Sequence, residues 1–303
     1  MRQHRSTVFL FWVCALVVIS SDVYCQDFDK VVITAEKTAG NIFMLQGQGG
    51  NIGVCVGEDG VFLVDDQFAP LTEKIKSAIA KISKQKIRFV INTHWHFDHV
   101  GVNENLGDAG AAIVAHENVR YRMSTDQVIK FFNTQRPPAP KAALPIITFS
   151  RDISFHLNGE EIYIFHIKNA HTDGDAVVFF KKANVIHTGD IYFSGIYPFI
   201  DVSSHGSVDG IINAAKHILS IIDDNTKIIP GHGPMSNKAA FADYVVMLEK
   251  IRSRVSKHIA GGKTLKEIQD LGPSKDFDSV WGDGFLTPDK FIQILYEDLS
   301  GKQ

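Results

Sequence analysis

Within the run Thr93-His94-Trp95-His96-Phe97-Asp98-His99, three imidazoles and a carboxylate fall inside six residues. Neutral imidazole and carboxylate are the usual protein ligands for zinc, and related first-row metals accept them too. His94, His96 and Asp98 alternate, so an extended backbone would carry them on one side. A turn at Asp98 would then swing His99 towards a second site. The cluster offers donors for two metals, provided that distant segments complete the shells.

Three later segments carry residues of the same kind. Ala170-His171-Thr172-Asp173-Gly174-Asp175 follows the alternating apolar run Glu161 to Ile167. His187-Thr188-Gly189-Asp190 follows Ala183 to Ile186, and Pro230-Gly231-His232-Gly233-Pro234 follows Lys227 to Ile229. Each places a metal-capable residue at the end of a short strand and beside glycine, which lets the backbone turn sharply. Strand-end loops held by a rigid scaffold are where catalytic groups collect.

Taken together, His94-x-His96-x-Asp98-His99, His171, Asp190 and His232 resemble the metallo-β-lactamase superfamily, over a match from about Asn41 to Pro234. The resemblance implies an α/β fold, the four-layer αβ/βα sandwich, with metals at one edge of two packed sheets. It implies one metal held by His94, His96 and His171, a second by Asp98, His99 and His232, and Asp190 bridging them. Two Zn2+ per chain are therefore expected. It also implies that Asp65 stands behind the histidine loop and holds it, as metal ligands commonly require.

The remaining elements suit that expectation. The spacing of Leu71, Ile75, Ile79 and Ile82 predicts an amphipathic helix. Strands are expected at Asn41 to Gln46 and Asn51 to Val56, joined by Gly47 to Gly50 as a candidate flap, and at Val61 to Asp65. A short helix is expected over 100–106 and a longer one through Tyr121 to Phe132, which Arg136-Pro137-Pro138-Ala139-Pro140 closes as a stiff connection. Further strands follow near 146–149, 153–157, 161–167, 177–180, 185–187 and 227–229, with helices near 208–222, 241–257 and 291–299.

A net charge of −3 supplies no basic field for nucleic acid or anionic lipid, so neither is expected as a partner. The expected partner is a small-molecule substrate, and the oligomeric state is left open. Residues 1–25 read as a signal peptide: Arg2 and Arg5, then the apolar run Val8 to Ile19, too short for a membrane span, with cleavage after Cys25. A lipidated Cys25 or an uncleaved anchor is the alternative. Residues 26–303 then form one hydrolase domain with a helical C-terminal tail, periplasmic or secreted. No stable membrane partner is expected once the signal is removed. Cys55 would remain alone and reads as a small buried hydrophobe.

The donor set points to hydrolysis of an amide or ester by a hydroxide bridging two metals, with Asp98 as the catalytic carboxylate that orients the nucleophile and shuttles a proton. A β-lactam or lactone ring is the leading substrate. Alternatives are a thioesterase of the glyoxalase II type, a mono-iron sulfur dioxygenase and a non-enzymatic binding protein. Asp190 is where true β-lactamases of the superfamily carry cysteine or serine, and Phe193 stands where some of its lactonases carry tyrosine. An aromatic pocket is expected from Trp95, Phe97, Tyr192, Phe193, Tyr197 and Phe199. Tyr192 and His205 are the expected substrate contacts. His116 and His187 are assigned structural or supporting roles, and His156, His166, His217 and His258 surface or packing positions.

Overall fold

In the computed structural model, which describes residues 27–301, strand alternation decides the layers. Along Val61–Val64, Val61 and Leu63 join a core with Leu71, Ile75 and Ile79, from the segment that enters and forms the helix Thr72–Ile82. Phe62 and Val64 face the opposite way, into a core with Ile162, Ile164, Val178 and Phe180 of a second sheet. That sheet alternates in turn. Val185 and Ile229 face the first sheet, whereas Ile186 and Ile228 face Ile211, Ile218, Phe241, Leu248 and Leu295 of the C-terminal helices. The order is helix, sheet, sheet, helix. Each fully buried Ile, Leu, Val or Phe contributes about 1.5–3 kcal/mol against leaving it in water.

The first sheet contains seven strands in chain order: Thr34–Ala39, Ile42–Gln46, Ile52–Cys55, Val61–Val64, Ile87–Asn92, Ala112–His116 and Ile147–Phe149. The second contains six: Asp152–Leu157, Glu160–His166, Ala176–Phe180, Val185–His187, Lys227–Ile229 and Ser236–Asn237. Val61–Val64 runs parallel to Ile87–Asn92, and Val185–His187 parallel to Lys227–Ile229. Parallel strands end at the same edge of their sheet. Asp65 and Thr93 therefore emerge together, as do Thr188 and Pro230, and these pairs of loops carry the metal-capable residues.

The helix Thr72–Ile82 buries Thr72, Ile75, Ala78 and Ile79, a helical stripe as its spacing predicts. Helices Val208–Ile221, Lys238–Ala260 and Pro288–Ser300 cover the second sheet. Cys55 is fully buried, and burial pushes its thiol up to about 11. The apolar N-terminal run expected as an export signal lies outside the described residues. Among the described residues, no helix is long and apolar enough to cross a membrane.

Two expected elements are corrected. No single helix spans Tyr121 to Phe132: the helix is Glu117–Met123, and a hairpin of Gln127–Ile129 and Thr134–Arg136 follows, with Gln127 opposite Arg136. Tyr121, Val128, Phe131 and Phe132 have helical spacing, but Asn133 adopts a left-handed turn (φ 48°) that folds the chain back. The single short helix over 100–106 is instead two, Phe97–Val100 and Asn103–Asp108.

Candidate metal centre

The histidine loop is not an extended strand, as its alternation suggested. The strand ends at Asn92, residues 93–96 bend, and Phe97–Val100 forms one helical turn that begins beyond His96. Asp65 stops the strand there. Its carboxylate accepts from the Thr93 backbone N–H and hydroxyl, both at 2.7 Å, and lies 2.8 Å from His99 Nδ1. The helical turn then sets Asp98 and His99 apart from His94 and His96. Asp65 and Gln67 both take left-handed backbone conformations (φ 62°). Each costs such a residue about 1–2 kcal/mol. The Asp65 contacts offset that cost, as does Gln67 donating to the Gly50 carbonyl at 2.7 Å.

Two groups of donors result: His94, His96, His171 and Asp190, and Asp98, His99 and His232, each with ligand atoms within 4.8 Å of one another. Asp190 stands between them. Its Oδ2 lies 3.7 Å from His94 Nε2, 3.5 Å from His171 Nε2 and 3.4 Å from His232 Nε2. Its Oδ1 lies 3.2 Å from His99 Nε2. Asp98 Oδ2 is 3.3 Å from His232 Nε2 and 3.6 Å from His99 Nε2. All seven residues anticipated as ligands thus converge.

Four of the five imidazoles have their other nitrogen anchored, which fixes ring orientation. His94 Nδ1 meets Thr93 Oγ1 at 3.1 Å, and His171 Nδ1 meets the Phe199 carbonyl at 2.8 Å. His99 Nδ1 meets Asp65, and His96 Nε2 meets Asp201 Oδ2 at 2.9 Å. His96 therefore faces the centre with Nδ1, which lies 2.9 Å from His171 Nε2. Two glycines are obligatory for this approach. A Cβ on Gly50 would come within 2.1 Å of the His99 ring, and one on Gly231 within 2.1 Å of Asp190 Oδ1.

The electrostatics divide the donors. Burial holds His94 well below the ordinary histidine range and His171 down at about 4, so both are neutral and able to coordinate. Burial also opposes charge on His99 and His232, but the carboxylates of Asp190 and Asp98 outweigh it. His99 is raised well above its usual range and His232 to about 9. Burial likewise raises Asp98 and Asp190, and the surrounding imidazoles overcome it and hold both low. Two carboxylates and two neutral imidazoles offer lone pairs, and a bound cation would displace the protons that His99 and His232 otherwise hold. His94 Nε2 and Asp190 Oδ1 are also buried with no hydrogen-bond partner among the described residues. Such orphaned atoms, in an all-nitrogen-and-oxygen donor set, fit a divalent metal.

Beside the centre lies a cavity of about 530 Å³, walled by Phe68, Phe97, Ile129, Phe132, Phe193, Phe199 and Phe285. His96, Asp98, Asp190 and His232 reach into it, and Gln48 and Gly49 of the glycine turn border it. That turn is tied down by the Gly50 N–H donating to the Asp98 carbonyl at 3.1 Å. Of the expected aromatic wall, Phe97, Phe193 and Phe199 are present. Trp95 and Tyr197 are instead buried among core side chains, and neither lines the cavity.

Neither expected substrate contact is at the cavity. Tyr192 faces away from it: its ring packs on Phe241 and Tyr244, and its hydroxyl meets Ser236 Oγ at 2.9 Å. Successive residues after Asp190 diverge, and Phe193, stacked 5.0 Å from the His232 ring, takes the inward position. Tyr192→Phe should leave turnover unchanged and lower stability by about 1 kcal/mol, the value of one hydrogen bond, in a denaturant titration. His205 is exposed and closes a helical turn, Val202–Ser204, in a left-handed conformation (φ 62°). The functional residue of its loop is Asp201, which orients His96. Their separation of 105 residues leaves no local signal. Asp175 was likewise unassigned from sequence: it accepts from the His171 and Thr172 backbone N–H groups and from the Thr172 hydroxyl, shaping the loop that presents His171. His187 is structural, between the Asn51 carbonyl and the Gly189 N–H, and His116 stacks on His166 at 3.7 Å away from the centre.

Comparison with known proteins agrees with this architecture. Among curated proteins, the hydroxyacylglutathione hydrolase of Pelagibacter ubique (strain HTCC1062) is 26% identical over 148 residues, 48% of this chain and 52% of that protein. The chain thus matches about half the length of that relative. The DIM-1 metallo-beta-lactamase structure superposes with a TM-score of 0.58 at 21% identity, covering 73% of this chain and 99% of that one. The sec-alkylsulfatase Pisa1 of Pseudomonas sp. superposes with a TM-score of 0.69 at 14% identity, covering 90% and 51%. The family model of the metallo-beta-lactamase superfamily matches residues 45–232, from the second strand of the first sheet to the last histidine of the centre, and the chain belongs to that superfamily.

Proposed function

We propose that the protein is a metal-dependent hydrolase that cleaves an amide or ester carbonyl in a largely apolar substrate, a β-lactam or lactone ring foremost. The carrying observation is the placement of Asp190 between two donor groups at the floor of an aromatic cavity. His94, His96, His171 and Asp190 would hold one metal, and Asp98, His99, His232 and Asp190 a second, with zinc the natural choice for such donors. When bound, the metals supply Lewis acidity: they make water acidic near neutral pH and stabilise negative charge on a carbonyl oxygen.

The chain's own residues do the rest. Asp98 is ionised, borders the cavity and is the carboxylate there that sits outside the His94 group while remaining open enough to meet a leaving atom. It orients water and passes a proton. Phe193, Phe199 and Phe97 exclude water around the reacting bond, which strengthens every charge interaction inside. Asp201, Asp65 and Thr93 hold the imidazoles in register.

A second reading, thioester hydrolysis, draws on the curated relative, whose name describes action on a hydroxyacyl glutathione. The mostly aromatic wall of the cavity favours compact ring substrates over a polar, peptide-bearing thioester. The test is a hydrolysis screen of the zinc-loaded chain against lactams, lactones and thioesters, with elemental analysis alongside. Turnover of a lactam or lactone with about two metals per chain is expected. Turnover of thioesters alone would move the assignment to the second reading. One bound iron with oxygen consumption and no hydrolysis would overturn both.

A further inference from the structure

No cation lines the cavity, yet one stands immediately outside its wall. Arg136 ends the second strand of the hairpin, and its guanidinium carbon lies 3.8 Å from the centre of the Phe97 ring. Phe97 and its neighbour Asp98 are both cavity residues, and the hairpin itself contributes Ile129 and Phe132 to the wall. Burial works against the charge of Arg136, and the carboxylate of Asp98 favours it. Its side chain makes no hydrogen bond or ion pair among the described residues, and its Nε is closed off from solvent without an acceptor. A buried donor left so costs about 1–3 kcal/mol. Arg136 as a whole is half-buried; Arg122, the buried arginine nearby, shows the ordinary solution, a two-pronged pair with Asp173 at 2.7 Å for both prongs.

The backbone holds Arg136 ready. It pairs with Gln127 in the hairpin, and Gln127 is itself held by Arg122 Nη1 at 2.9 Å. Pro137 follows it, which confines Arg136 to extended conformations. Contact with the face of Phe97 restrains the guanidinium, so less side-chain freedom is lost when an anion arrives.

We propose that Arg136 is a specificity-determining residue that receives an anionic group, a carboxylate or sulfonate, on the substrate whose apolar part fills the aromatic cavity. The inference deepens the proposed function by naming the substrate class, an amphiphile with one negative charge set apart from the bond to be cleaved. It rests on that reading for the identity of the site, and its test does not require turnover.

The experiment compares two probes that weakly ligate metal, 1-naphthalenesulfonate and the neutral 1-naphthyl methyl sulfone, by calorimetry on the zinc-loaded protein. The sulfonate should bind at least about tenfold tighter, a difference of about 1.4 kcal/mol. Arg136→Gln should abolish that difference while leaving sulfone affinity unchanged, and Arg136→Lys should retain part of it as a point charge without the fork. Equal affinity of the two probes in the unaltered protein, equal loss of both in Arg136→Gln, or no binding of either at millimolar concentration would overturn the proposal. Failure of the hydrolysis screen with these binding differences intact would sink the proposed reaction and leave the anion site standing.

Discussion

Asp190→Ala is expected to empty the centre and to lower turnover by about a thousandfold or more, about 4 kcal/mol of transition-state stabilisation. The reason is position. One carboxylate lies within 3.7 Å of His94, His99, His171 and His232, drawn from three separate segments. It is the principal charge that keeps His99 and His232 from behaving as buried neutral rings. Without it, the two donor groups lose their shared member and the field that attracts divalent cations. Elemental analysis of protein purified at fixed zinc should show less than half the metal of the unaltered chain. Asp190→Asn keeps the volume and separates loss of charge from loss of packing. Full metal content with ordinary turnover in either variant would show that Asp190 does not bridge the groups.

Asp98→Asn should behave differently: metal held largely in place, turnover down by about a hundred- to ten-thousandfold, the usual worth of a positioned proton carrier. Asp98 belongs to the group with His99 and His232, and both of these also contact Asp190. The group containing His94, His96 and His171 does not depend on it. The carboxyl is held below its normal range because the imidazoles of His99 and His232 outweigh its burial. It is therefore ionised throughout the neutral range, and asparagine removes that charge at every pH of interest. Single-turnover rates set against metal content decide the matter. A proportional fall in both would make Asp98 a ligand and nothing more. An undiminished rate would remove it from the chemistry.

Much of this centre was legible before any coordinates. All seven donors could be named because their types and order along the chain resemble those of the metallo-β-lactamase superfamily, each in a short run that follows an apolar strand. The layer order was legible as well, from the resemblance and from a strand–helix order that occurs twice, and the structure shows Val61 and Leu63 in one core with Phe62 and Val64 in the other. What misled was also local. The residues between Met123 and Arg136 have helical spacing, and the left-handed Asn133 that reverses them leaves no trace in a hydrophobic pattern. Tyr192 and Phe193 are neighbours of similar character, and only packing against Phe241 and Tyr244 decides which one turns inward.

By itself, then, the amino-acid order determined the donor chemistry, the strands that carry it and the need for a sandwich to bring the strand ends together. The folded chain decided which nitrogen of each imidazole faces the centre, because the anchors at Asp65, Asp201 and Phe199 come from loops remote in sequence. It also decided that Arg136 would stand unpaired on Phe97 at the edge of the cavity. The physical reason is one of range. Side-chain type and periodicity act over a turn or a strand, whereas orientation and pairing in a buried site are set by groups that meet only once the sheets have packed.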